Sequence, residues 1–89
     1  MTWKVKWNNR ARRELRKLDK TTQATILQYF RERIMVDEDP KRFGSPLRHG
    51  LKGLWRYRIG NYRAVCQIND GELVVLVLAV GHRTNIYRS

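Results

Sequence analysis

Eighty-nine residues with 19 Lys+Arg against 8 Asp+Glu give a net charge of +11, and 42% of the residues are hydrophobic. That is one small basic domain, 1–89, and its apolar content excludes a disordered basic tail. The single cysteine, Cys66, excludes an intrachain disulfide and a cysteine-based zinc cluster, and the charge points to polyanionic partners: nucleic acid, an anionic membrane surface or an acidic protein.

The chain opens with alternation. Trp3, Val5 and Trp7 share one face and Thr2, Lys4 and Lys6 the other, which predicts a half-buried strand. Asn8 or Asn9 then caps a short amphipathic helix whose inner residues are Ala11, Leu15 and Leu18. Its outer face carries Arg10, Arg12, Arg13, Arg16 and Lys17. Asp19 or Thr21 caps a second helix, with Ile26, Leu27, Phe30 and Ile34 as its inner stripe and an end near Met35. The two helices predict an αα-hairpin over one face of a sheet.

Residues Val36 to Gly53 form a long connection punctuated by Pro40, Gly44, Pro46 and Gly50, with Phe43, Leu47 and Leu51 as pegs into the core. Connections of this length in a small domain are uncommon and often functional. A three-stranded antiparallel meander follows: Leu54 to Ile59, Tyr62 to Asn69 and Leu73 to Val80. Gly60-Asn61 and Asp70-Gly71 both suit two-residue hairpin turns. The expected fold class is α+β, a single antiparallel sheet with both helices on one face.

A two-residue turn at Gly60-Asn61 sets Ile59 opposite Tyr62, Arg58 opposite Arg63, Tyr57 opposite Ala64 and Arg56 opposite Val65. Trp55, Tyr57, Ile59, Tyr62, Ala64, Cys66 and Ile68 then make the core face. Arg56, Arg58 and Arg63 gather on the other, with no acidic residue on either strand. Like charges directly opposite destabilise a sheet, so this face reads as an anion site. The bland alternative is a solubilising face, though such faces more often mix the signs. Gly81 permits a bend or bulge after the last strand, and a tail folding back would carry Arg83 and Tyr87 toward the arginines.

The run Pro46-Leu-Arg-His-Gly-Leu-Lys-Gly-Leu-Trp-Arg-Tyr-Arg-Ile-Gly-Asn-Tyr-Arg63, with Gly81-His-Arg and Tyr87 after the apolar strand, resembles the RelE/ParE superfamily of toxins from toxin–antitoxin modules. Length, charge and element order resemble it too, over the whole chain and most closely its RelE branch. That resemblance implies a toxin that is a ribosome-dependent mRNA endonuclease. In that branch the ribose 2′-hydroxyl attacks the adjacent phosphate without a metal or other cofactor. Carried over by motif, Arg56 and Arg58 match paired basic residues, Arg63 a phosphate-binding arginine and Arg83 a residue at the leaving group. Tyr87 matches a tyrosine that stacks on or orients the nucleotide. Arg48, His49 and Lys52 are expected to contact RNA. Where Arg56 and Arg58 stand, the family pattern has lysines, one proposed as the base. Arginine is a poor base and a good phosphate clamp. That leaves three readings: purely electrostatic action by Arg58, proton transfer through His82, or low activity.

The competing implication is a ParE-like inhibitor of DNA gyrase without nuclease activity, since fold does not dictate activity. A third reading is a plain nucleic-acid-binding module. The expected partners are a cognate acidic antitoxin, the ribosome and mRNA. No membrane is expected, because the longest apolar run, Leu73 to Val80, is too short to span one. The N-terminal MTWKVKW has no signal-peptide core, so the expected location is cytoplasmic.

Overall fold

The computed structural model describes residues 3–35, 39–47 and 53–82. In chain order it contains β1 (Lys4–Trp7), α1 (Asn9–Arg16), α2 (Lys20–Tyr29), a π-helical turn (Phe30–Ile34) and a 3-10 turn (Pro40–Arg42). Then come β2 (Ser45–Pro46), β3 (Leu54–Ile59), β4 (Tyr62–Asn69) and β5 (Val74–His82). The five strands form one sheet in the order β1-β5-β4-β3-β2. The α+β class and the placement of the helices on one face agree with the sequence.

One pairing departs from an all-antiparallel sheet. β1 lies parallel to β5, with Val5 opposite Val75 and Trp7 opposite Val77. No hairpin joins these two strands. Most of the chain separates them, so no turn dictates their relative direction. β2 is an addition that the long connection supplies. It is a two-residue edge strand ending in Pro46, a residue that suits an edge because it cannot donate to a ladder.

Asn8 caps α1, its side chain accepting from the Ala11 N–H at 2.7 Å. Asp19, not Thr21, caps α2, accepting from the Thr22 N–H at 3.3 Å and from the Thr22 hydroxyl. These two bonds hold the exposed Asp19 carboxyl below its usual pKa, the hydroxyl contributing most. The second helix differs from expectation at Leu27, which is exposed. Past Tyr29 the backbone widens into a π turn, closed by Met35 N–H to the Phe30 carbonyl at 2.9 Å. Ile26, Phe30 and Ile34, at steps of four, form the buried row, and Leu27 lies about 100° of helix turn off that row and faces outward.

The core lies between the helices and one face of the sheet. It gathers Trp3, Ala11, Ile26, Phe30 and Ile34 with Tyr57, Ile59, Ala64, Cys66, Val75, Val77 and Val80. Phe30 sits edge-on to Trp7 and Tyr57, with ring centroids 5.4 and 5.8 Å away. Tyr57 is fully buried, and its hydroxyl donates to the Pro40 carbonyl at 2.8 Å. Trp55 Nε1 donates to the Phe43 carbonyl at 2.7 Å. These two bonds fasten the long connection to β3. Phe43 packs against this core and Leu47 against the opposite face of the sheet, so the connection wraps around the β2 edge; Leu51 lies outside the described residues. Burial pushes the Tyr57 phenol and the Cys66 thiol well above their usual pKa values, so both stay neutral and inert.

Beyond Trp7 the outer edge of β5 faces α1 in place of a strand. Asn8 N–H donates to the Val77 carbonyl at 3.1 Å, and the Val80 N–H donates to Glu14 Oε1 at 2.9 Å. A helix and one carboxylate thus cover an edge that would otherwise offer itself to other strands.

Candidate functional site

The Gly60-Asn61 turn has two residues, with Gly60 at φ 61, and pairs Ile59 with Tyr62. A glycine with positive φ at the first central position is what a twisted hairpin requires. From it the whole register follows as the sequence predicts: Arg58 faces Arg63, Tyr57 faces Ala64 and Arg56 faces Val65. Arg56, Arg58 and Arg63 therefore share the face away from the helices. Arg58 is exposed, and Arg56 and Arg63 are half-buried. Arg56 Nη2 donates to Ser45 Oγ at 3.2 Å, which draws its guanidinium toward β2. Arg63 Nη1 donates to the Tyr62 carbonyl at 3.3 Å. Arg10–Glu14 and Lys41–Asp70 are ion pairs away from this face. Beside the arginines, Val65 and Ala79 are buried and pack with Leu47 and Leu54 as a small second apolar cluster.

Gly44 fixes the β2 edge of the site. It has φ 79, and a Cβ there would collide with the Arg56 carbonyl and come within 2.9 Å of Trp55 Nε1. The backbone that presents Ser45 to Arg56 thus demands glycine.

The far side of the site is set by a bulge. Val65 pairs with Ala79 but Cys66 pairs with Val77, so Leu78 is an extra residue in β5. The alternation of β5 reverses there. Gly81 consequently lies opposite Arg63 on the arginine face, and His82 lies opposite Tyr62 on the helix face. The His82 ring meets the Tyr62 ring edge-on at 5.7 Å. The sequence places the irregularity at Gly81; it occurs three residues earlier. The second hairpin differs as well. Asn69 pairs with Val74, so its loop has four residues, Asp70 to Leu73. Asn69 Oδ1 accepts from the Glu72 N–H at 3.1 Å, and Leu73, not Gly71, takes the positive φ of 55.

Of the residues singled out by sequence, the structure brings Arg56, Arg58 and Arg63 together and sets His82 across the sheet from them. Arg48, His49, Lys52, Arg83 and Tyr87 lie outside the described residues. Sequence reasoning missed Ser45 as a partner of Arg56, and Gly81 as the neighbour of Arg63. Ser45 follows the glycine-marked turn, a weak signal; the bulge has no signal at all in the apolar run Val74 to Val80.

Three guanidiniums on a rigid antiparallel pair can hold a phosphate bidentately and stabilise charge that builds on it. Guanidinium groups are poor general bases, so the cluster suits binding and charge stabilisation.

Known proteins share this architecture. A family model described as the ParE toxin of the type II toxin–antitoxin system parDE matches residues 5–87. The chain belongs to that toxin family. Toxin RelG of Mycobacterium tuberculosis is 36% identical over 89 residues, 99% of each chain. Toxin RelE of the same organism is 33% identical over 78 residues, covering 88% of this chain and 78% of that one. The toxin–antitoxin complex RelBE2 of M. tuberculosis contains a chain of the same fold, with a TM-score of 0.84 and 32% identity over 96% of this toxin and 95% of that chain. The toxin is thus a type II toxin of the RelE/ParE superfamily. Among its described residues no helix is long and apolar enough to cross a membrane.

Proposed function

We propose that this toxin is an mRNA endonuclease that acts on messages held by the ribosome, and that Arg56, Arg58 and Arg63 bind the scissile phosphate. The observation that carries the reading is the direct pairing of Arg58 with Arg63 on the sheet face away from the helices, with Arg56 alongside. In the reaction the ribose 2′-oxygen forms a bond to phosphorus and the bond from phosphorus to the 5′-oxygen breaks. The leaving 5′-oxygen takes up a proton from solvent, giving a 5′-hydroxyl and a 2′,3′-cyclic phosphate, with no metal required. The arginines neutralise the phosphorane-like transition state. His82 sits on the helix face, which favours electrostatic action by the arginines, with the 2′-hydroxyl proton lost to solvent, over proton transfer by His82. Arg83 is assigned to the leaving 5′-oxygen and Tyr87 to the nucleotide base; Arg48, His49 and Lys52 are assigned to the flanking RNA.

The partner that silences the toxin is an antitoxin, acidic in its toxin-binding part. The M. tuberculosis neighbour was crystallised as a toxin–antitoxin complex, which supports this. A ribosomal target also places the toxin in the cytoplasm. The second reading is a ParE-like gyrase inhibitor, favoured by the description of the matching family.

Primer extension on a translated message after induction tests the proposal, with Arg63→Ala as the inactive comparison. Wild type should cut within the reading frame and Arg63→Ala should not. Intact message with inhibited gyrase supercoiling would transfer the assignment to the second reading.

A further inference from the structure

The cations of α1 lie on the other side of the molecule from the arginine face. Arg12, Arg13, Arg16 and Lys17 are exposed, while Ala11 and Leu15 hold the inner arc of the helix against the core. They form two i, i+4 rows, Arg12 with Arg16 and Arg13 with Lys17, each pair spaced about 6 Å along the axis. The helix has one acid, Glu14, and it is already engaged. Its Oε1 accepts from the Val80 N–H and its Oε2 lies 3.5 Å from Arg10 Nε.

Two local rules are broken here. Like charges at i, i+4 repel. The first turn of α1 also holds Arg10 and Arg12 and no acid, at the end where the helix dipole favours anions, whereas Arg13 and Arg16 in the last turn sit where it favours cations. Packing requires neither, because these side chains point outward. A local conflict that brings no structural return marks a functional surface. The outer face of α2 shows the contrast, with Thr21, Ala24, Thr25 and Gln28 exposed there.

We propose that the outer face of α1 is a second polyanion-binding surface, which docks on the sugar-phosphate backbone of double-stranded RNA. It rests on the proposed function for the role of the opposite face, where the strand to be cut is held. The toxin then grips two RNA segments, one on each side of its sheet. The partner is RNA and not an acidic protein because this face offers no apolar anchor. Among the described residues the one exposed large hydrophobic side chain is Leu27, on α2. Protein interfaces centre on buried aromatic and apolar anchors, whereas a phosphate backbone asks only for cations and donors. The RNA is double-stranded because α1 carries no aromatic ring on which unpaired bases could stack.

The test uses the purified full chain and a fluorescent RNA duplex, 2′-O-methylated so that it is not cut, with anisotropy followed through a salt titration. The variant is R12Q/R13Q/R16Q. A control of equal charge, K20Q/R31Q/R33Q, removes exposed cations of the second helix and the turn that follows it. The α1 variant should bind roughly tenfold or more weakly at physiological salt, and its log–log salt slope should be shallower by about 2.7, near 0.9 for each lost phosphate contact. The control should change far less, and the α1 variant should melt no lower than wild type. Equal losses in the two variants would overturn the proposal in favour of bulk charge. Unchanged duplex binding with weakened binding of poly-L-glutamate would overturn it in favour of an acidic protein partner. Duplex binding is read without cleavage, so this result is independent of whether Arg63→Ala still cuts mRNA.

Discussion

The two faces of the sheet follow opposite rules. On the helix side, Tyr57, Ala64, Cys66, Val75 and Val77 are fully buried, and the Tyr57 hydroxyl has its own partner. On the other side, two arginines stand directly opposite each other beside a third, and the buried apolar residues reduce to Val65, Val74 and Ala79. One face is arranged for stability and the other tolerates repulsion. Because the side-chain period of a strand is two, both sets of residues come from the same strands, and neither can move without the other.

Substitutions at four positions break or sharpen this contrast. Phe30→Ala removes the ring that packs against Trp7 and Tyr57, and should cost about 3–5 kcal/mol, read by denaturant unfolding. Any loss of activity should then track the loss of folded protein. Arg63→Ala should do the reverse. Message cleavage should fall by about 10²–10³, as for the loss of one transition-state donor, while the melting temperature stays level or rises because Arg58 loses a like-charged neighbour. Arg63→Lys keeps the charge without the fork and should fall between the two. Full cleavage by Arg63→Ala would show the arginine face to be mere surface.

Gly44→Ala strikes both faces at once, since its Cβ meets the Arg56 carbonyl beneath the site and the Trp55 ring on the core side. Forced out of a positive φ, it should lose about 1–3 kcal/mol of stability, together with activity. Tyr57→Phe deletes only the hydroxyl that holds the Pro40 carbonyl and should cost about 1–2 kcal/mol, with cleavage per folded molecule unchanged.

The pH dependence of stability separates the faces more gently. Cys66 and Tyr57, on the core side, have raised pKa values caused chiefly by burial. Their contribution is complete below the ordinary values of 9.0 and 10.0 and is lost as pH rises above them. Thermal melts should therefore fall in alkali, and Tyr57→Phe should blunt part of that fall. Asp19 has a lowered pKa and works the other way. Its cap is complete above the ordinary value of 3.8 and is lost as pH drops further, a small effect because the group is exposed. Asp19→Asn should flatten only that acid limb.

Local chemistry was enough for the site's centre. A two-residue turn with glycine first leaves a single register, and that register puts Arg56, Arg58 and Arg63 on one face. The first helix's inner stripe and the core face of β3 and β4 were legible for the same reason, each depending on residues within a few positions of one another; each helix cap was narrowed to two candidates, and the second helix's stripe held except at Leu27. What tertiary structure alone decided involves partners distant in sequence. The parallel pairing of β1 with β5 is closed by no turn. The exposure of Leu27 depends on how wide a stripe of the second helix the sheet covers, which is only the row Ile26, Phe30 and Ile34. The bulge at Leu78 lies in a run whose residues are apolar on both faces, so alternation carries no mark of it. That one extra residue gives Arg63 a glycine neighbour and sends His82 to the opposite side, because a strand's faces are counted residue by residue and a single insertion exchanges them all.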